Sequence, residues 1–260
     1  MKDDVMNKLM EEVMKKMEEV EETGTVSEAT GTCGLTEYVG QTMGDTIGLV
    51  IANVDPNLHE AMEIDPKYRS IGIISARTGA GPQIMAADEA VKATNTEMVI
   101  CEMARDTKGG AGHGSLVVFG AEDVSDAKRA VEVALVETER HFGDVYGNDA
   151  GHLEFQYTAR ASFACNAAFG APIGRAYALI LGAPAGIGIL ISDIALKAAN
   201  VELISYCSPD HGTKASNEGF INVYGDAGAV RQAVRAARDA GIQALSALGG
   251  PCPSATTPYI

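Results

Sequence analysis

The sequence is short of positive charge. Twenty lysines and arginines face 35 aspartates and glutamates in 260 residues, a formal net charge of -15. Nucleic-acid binding needs clustered Lys and Arg to meet phosphates, so no nucleic-acid partner is expected, and this sign of charge would not attract an anionic lipid surface. Long apolar runs are missing as well. No stretch of about 18 apolar residues occurs, and the acidic N-terminus lacks a basic-then-apolar signal pattern, so the expectation is a cytoplasmic protein without a membrane partner. Cysteine is sparse and unpatterned. Cys33, Cys101, Cys165, Cys207 and Cys252 are odd in number, widely spread and form no CxxC. A disulfide framework or structural zinc site is therefore not expected, and a reducing cytosol fits, with the thiols as small apolar residues in a core.

Catalytic signatures are lacking too. His59, His113, His141, His152 and His211 show no ligand spacing such as HExxH, no serine stands in GxSxG, and no Cys–His pair is signalled. The stretch 107–115, TKGGAGHGS, is dense in glycine but fails the GxxxxGK[ST] test. Lys108 precedes the glycines, and a strand follows where a helix N-terminus should lie. The stretch 182–188, GAPAGIG, follows a strand and opens a helix, yet it lacks the GxGxxG spacing and carries Pro184 in the turn. The expectation is a protein without catalysis, cofactor or metal. The alternative, a small-molecule- or nucleotide-binding protein using the glycine-rich loops, rests on those two stretches alone.

A duplication is what the chain does contain. ADEAVKATNTEMV at 87–99 and SDIALKAANVELI at 192–204 share Asp88/Asp193, Ala90/Ala195, Lys92/Lys197, Ala93/Ala198, Asn95/Asn200 and Glu97/Glu202, and at the same offset Phe119-Gly120 falls on Tyr224-Gly225. Two copies of one folding unit follow, each of roughly 110 residues. In the first, apolar β-branched runs predict strands at 46–53, 70–76, 96–103 and 115–120, and helical spacing predicts helices at 56–62, 82–94 and 122–140. The second repeats the order with strands at 153–159, 176–181, 201–207 and 220–224 and helices at 162–169, 185–198 and 227–240. Strands mixed with helices without strict alternation predict an α+β fold, with helices on one face of a mixed or antiparallel sheet. The expected division is a helix and flexible linker at 1–36, units at 37–150 and 151–248, and a disordered Pro/Ser/Thr-rich tail at 249–260.

Some residues stand out within this frame. Met6, Met10, Val13, Met17 and Val20 form an apolar stripe at helical spacing in residues 1–20, read either as a docking helix or as a frayed tail or helix folded back on its own domain. Lys92 and Asn95, echoed by Lys197 and Asn200, stand three apart at their helix ends. A lysine there suits the macrodipole, and its retention in both copies also suits a shared contact. The glycine-rich loops 104–114 and 208–217 are equivalent, and each contains a histidine, His113 and His211. They are surface turns or, if the units gather round an axis, a polar aperture.

These pieces, with GDAGAV at 225–230 and the strand–glycine-rich loop–strand after each repeated segment, resemble the bacterial microcompartment shell proteins of the tandem, circularly permuted kind, over roughly residues 37–248. The resemblance implies two fused shell domains, a homotrimer of six-fold-like outline, and trimers that tile with other shell proteins around enclosed enzymes. It implies tile-edge contacts at Lys92, Asn95, Lys197 and Asn200, with Arg160 as the edge arginine of the second unit and none in the first. It implies pores lined by Thr107, Lys108, Gly109, Gly110, Gly112 and His113, and by Ser208, His211, Gly212, Thr213 and Asn217, passing small hydroxylated metabolites such as 1,2-propanediol, glycerol or ethanol. It also implies that residues 1–20 tether encapsulated enzymes.

Overall fold

The computed structural model describes residues 33–77, 79–103, 114–209 and 217–260. The expected N-terminal helix, and the loop residues Thr107, Lys108, Gly109, Gly110, Gly112, His113, His211, Gly212 and Thr213, lie outside the described residues. From Glu37 to Ile260 the chain folds as one body, whose first half runs β1 Tyr38–Thr42, β2 Thr46–Ile51, α1 Pro56–Ala61, β3 Ser70–Ala76, α2 Gly81–Ala93, β4 Glu97–Glu102, β5 Ser115–Ala121 and α3 Val124–His141. A 3-10 turn, Phe142–Asp144, leads into the second half: β6 Val145–Asn148, β7 Gly151–Thr158, α4 Phe163–Phe169, β8 Ala176–Ala183, α5 Ala185–Ala198, β9 Val201–Cys207, β10 Gly219–Gly225 and α6 Ala227–Gly249.

The halves are two five-stranded antiparallel sheets with matching orders, β1-β2-β3-β5-β4 and β6-β7-β8-β10-β9. The register repeats as well. Ser115 stands opposite Ala76 in one sheet, and Phe220 opposite Leu181, both 105 positions on, in the other. The predicted α+β class and duplication hold, and among the described residues the strands pair only in antiparallel fashion. Two strands, β1 and β6, were not anticipated, because each is short and interrupted by glycine.

Small residues let the helices close on the sheets. Along α3 the buried Ala127, Ala130, Val131, Ala134 and Thr138 keep one face at spacings of three and four. A side chain at Gly72 of β3 would strike the Ala127 carbonyl oxygen, so the absence of a Cβ there sets how near α3 lies. In the second half α6 presents Val230, Ala233, Val234, Ala237, Gly241 and Leu245 to a core built on Leu153, Phe155, Ile180, Ile191 and Ile221.

The expected borders need correction at two points. Pairing places β6 beside β7, so the second sheet begins at Val145 and a border at 150/151 would cut a hairpin. The segment 249–260 is not a disordered tail. α6 itself continues to Gly249, and the chain then runs back along the 3-10 turn. The Ser254 hydroxyl donates to the Gly143 carbonyl (2.6 Å), and the Tyr259 and Ile260 amides donate to the buried Asp144 carboxylate (2.8 and 3.1 Å). Its composition reads as loop because it lacks apolar periodicity, yet hydrogen bonds to distant residues fix it.

Candidate functional site

The two copies of the repeated segment end in opposite surroundings. In the first, α2 packs against α4 of the second half, and Ile84, Met85 and Asp88 are fully buried. Met85 joins Ala161, Cys165, Ala171, Tyr177 and Leu179 in one cluster. In the second, the equivalent residues of α5, Ile189 and Leu190, are 52% and 46% exposed. The buried face of this helix is formed by Ile191 and Ala195, with Gly188 and Ser192.

Asp88 clamps the two halves together. Its carboxylate accepts the Ser162 amide (3.0 and 3.1 Å to its two oxygens), the Ser162 hydroxyl (2.7 Å) and the Cys165 amide (3.1 Å). Ser162 is the N-cap residue of α4, so a carboxylate of the first half satisfies amides that the start of this short helix leaves open. Lys92 Nζ closes the arrangement, 2.8 Å from Asp88, 2.9 Å from Glu89 and 3.2 Å from the Thr158 hydroxyl. Burial alone would lower the Lys92 pKa; the hydrogen bonds and charges of Asp88 and Glu89 outweigh it and hold it above the ordinary lysine value. In the second copy Asp193 stands in the open and pairs with Lys197 at 2.7 Å.

Beside the clamp lies a polar cavity of about 330 Å³ to which Lys92, Arg140, His141, Arg160, Arg231 and Tyr259 contribute. His141 is buried, and desolvation, with the neighbouring Arg140, pushes its pKa down to about 3, so the imidazole is neutral. A larger and mainly apolar cavity of about 900 Å³ surrounds α1 on the first half, with Val54, Pro56, His59, Ile64, Pro66 and Arg69 among its walls. His59 Nε2 donates to the Tyr68 carbonyl (2.9 Å), which fixes the ring in that wall.

Of the residues singled out from the sequence, Lys92 and Arg160 are brought to one cavity. Asn95 and Asn200 are not on the helices with their lysines. α2 ends at Ala93 and α5 at Ala198, so each asparagine follows an extended cap residue and the i, i+3 reading does not hold. The Lys197 side chain is 76% exposed against 25% for Lys92, because only the first copy has the other half packed on it. Ser208 and Asn217 flank the second loop, and the Asn217 amide donates to the Glu218 carboxylate (3.1 Å). Sequence reading missed Asp88 as a clamp, along with Arg231, His141 and Tyr259. The shared Asp88/Asp193 was a signal for the first; nothing in spacing marks the others, which meet from α6, α3 and the C-terminal segment.

Two tandem sheets carrying duplicate helices define the class. The BMC domain family model matches residues 70–148 and 176–250, and the chain belongs to the BMC domain family. It is 65% identical over 217 residues to the bacterial microcompartment shell protein PduB of Salmonella typhimurium, covering 84% of this chain and 80% of that one. Among solved structures it is similar to a trimeric bacterial microcompartment shell protein PduB (TM-score 0.82, 50% identity, 87% of this chain and 100% of that one). It is equally similar to EtuB from Clostridium kluyveri (TM-score 0.83, 55% identity, 88% and 100%).

Proposed function

We propose that the chain is a structural tile of a bacterial microcompartment shell in the cytoplasm, assembled as a head-to-tail trimer and working without catalysis. The observation that carries this is the unequal burial of α2 and α5. Leu190 of α5 corresponds to Met85, which is buried against Cys165 at the third position of α4. The third position of α1 is Leu58, 46% exposed beside the 900 Å³ cavity. Repeating the internal junction from chain to chain sets Ile189 and Leu190 against the α1 face of the next copy. A heterologous contact of this kind closes into a ring when its rotation allows, and the PduB relative of known structure is trimeric. Covering one leucine contributes about 1.5–3 kcal/mol, once per junction. Light-scattering mass measurement tests this: the native chain is expected at three times its 27.1 kDa mass, and Leu190→Asp as a folded monomer. A native chain that stays monomeric at high concentration overturns the reading.

Within such a tile, Lys197 and Asn200 are exposed for edge contacts, whereas Lys92 and Arg160 line one cavity at the junction of the two halves, with Asn95 nearby in sequence. The loops 104–114 and 208–217 are assigned as pore linings that pass small hydroxylated metabolites, with Ser208 and Asn217 at the rim of the second. Residues 1–20 are assigned as a tether for enclosed enzymes through their Met/Val stripe.

A further inference from the structure

We infer that the cavity beside the Asp88 clamp is a binding site for inorganic phosphate. Its walls hold two arginines that the rest of the chain leaves without carboxylate partners among the described residues. Arg160 and Arg231 make no ion pair among the described residues, although acidic residues outnumber basic ones 35 to 20. Arg231 is held in place, its guanidinium 4.9 Å from the Tyr157 ring centre. Arg140 spends one end on Glu137 (2.9 Å) and lies 5.0 Å over Tyr259, so part of its donor fork stays available. Glu89, the acidic residue in the wall, is neutralised by Lys92. Two free guanidiniums and part of a third, at one cavity of a few hundred Å³, suit a small oxyanion, because each presents parallel N–H donors to paired oxygens.

A separate observation selects phosphate among oxyanions. His141 lines the same cavity and is 1% exposed, and its Nε2 has no hydrogen-bond partner among the described residues, the Glu137 carboxylate at 4.0 Å standing beyond hydrogen-bond reach. Its Nδ1 faces two acceptors, the Gln156 carbonyl oxygen at 3.1 Å and the Tyr259 hydroxyl oxygen at 2.7 Å, and places its N–H between them. In the neutral imidazole Nε2 is then a buried acceptor. Inorganic phosphate carries oxygens for the guanidiniums and, at neutral pH, at least one P–OH proton for this nitrogen. Sulfate has the same shape but no proton to give, and a site holding a buried acceptor rejects a ligand that cannot donate to it.

Calorimetric titration of the full chain with sodium phosphate at pH 7.5 in dilute chloride tests this, with sulfate and acetate titrated in parallel. One saturable phosphate per chain is expected, at least tenfold tighter than sulfate or acetate. Arg160→Ala and Arg231→Ala should each weaken it about tenfold or more, and Arg175→Ala, whose side chain meets Asp226 and Tyr224 and is not part of the cavity wall, should leave it unchanged. Absence of saturable phosphate binding, equal binding of sulfate, or indifference to both arginine changes each overturns the assignment. Trimer mass and sheet formation, followed in the same samples, report separately on the tile reading; loss of binding in Arg231→Ala with assembly intact belongs to this site alone.

Discussion

Replacing Asp88 by alanine should cost the fold far more than the same change at Asp193, although the two residues occupy the same place in a repeated segment. Asp88 is fully buried; it accepts two backbone amides and one hydroxyl from the second half and lies 2.8 Å from Lys92. Removing one partner of a buried ion pair costs about 3–5 kcal/mol, and each buried amide left without an acceptor about 1–3 kcal/mol. These losses overlap, since they belong to one carboxylate, and the expected total is about 3–5 kcal/mol. For a body of this size that corresponds to a fall of roughly 10 °C in the melting midpoint. Asp193 lies in the open, paired among the described residues only with Lys197, and an exposed pair contributes less than about 1 kcal/mol. Urea unfolding followed by circular dichroism, on chains diluted enough to be separate, measures both variants. Asp88→Asn, which keeps one acceptor oxygen, should fall between them. Losses for Asp88→Ala and Asp193→Ala that agree within about 1 kcal/mol would refute the clamp.

Acid should act through His141. Its pKa is about 3 in the fold, against 6.5 for the free side chain, so the unfolded chain takes up a proton that the native state refuses. The stability this neutral ring contributes is present above about pH 6.5 and is lost as pH falls toward 3, roughly 2–3 kcal/mol between pH 7 and 4.5. Urea midpoints against pH should therefore fall more steeply for the native chain than for His141→Gln, and parallel curves would count against it. At the tile edge, Lys197→Ala should leave chain stability within about 0.5 kcal/mol while reducing sheets seen by electron microscopy, because its only partner among the described residues is an exposed Asp193; undiminished sheets would remove Lys197 from the edge. Deleting residues 1–20 should leave trimer and sheets intact but release enclosed enzymes from purified compartments; full retention of those enzymes rejects the tether.

Much of the architecture can be read from the residues in order. The alternating and β-branched runs at 70–76 and 201–207 coincide with β3 and β9, and the helical spacing at 185–198 coincides with α5. Such elements announce themselves because their apolar periodicity is local. β1 and β6 escaped notice because each gains its place from pairing with the next strand, through five and four residues that carry little pattern of their own. The segment 250–260 escaped for a related reason. Its anchors, Gly143, Asp144 and His141, are more than a hundred positions away.

By itself the sequence determined that one unit occurs twice, since matching residues 105 positions apart need only be counted. It also determined the family, through the motifs those copies carry. The tertiary structure alone decided that the copies differ: Asp88 is a buried clamp and Asp193 an exposed side chain, Met85 is covered and Leu190 is bare. Identical spacing places equivalent residues on equivalent helix faces, but burial depends on what lies opposite, and in a single chain only the first copy has a second half to pack against. The convergence of Arg160, Arg231, Arg140 and His141 on one cavity has the same origin, because residues from three separate parts of the chain become neighbours only when both sheets are in place.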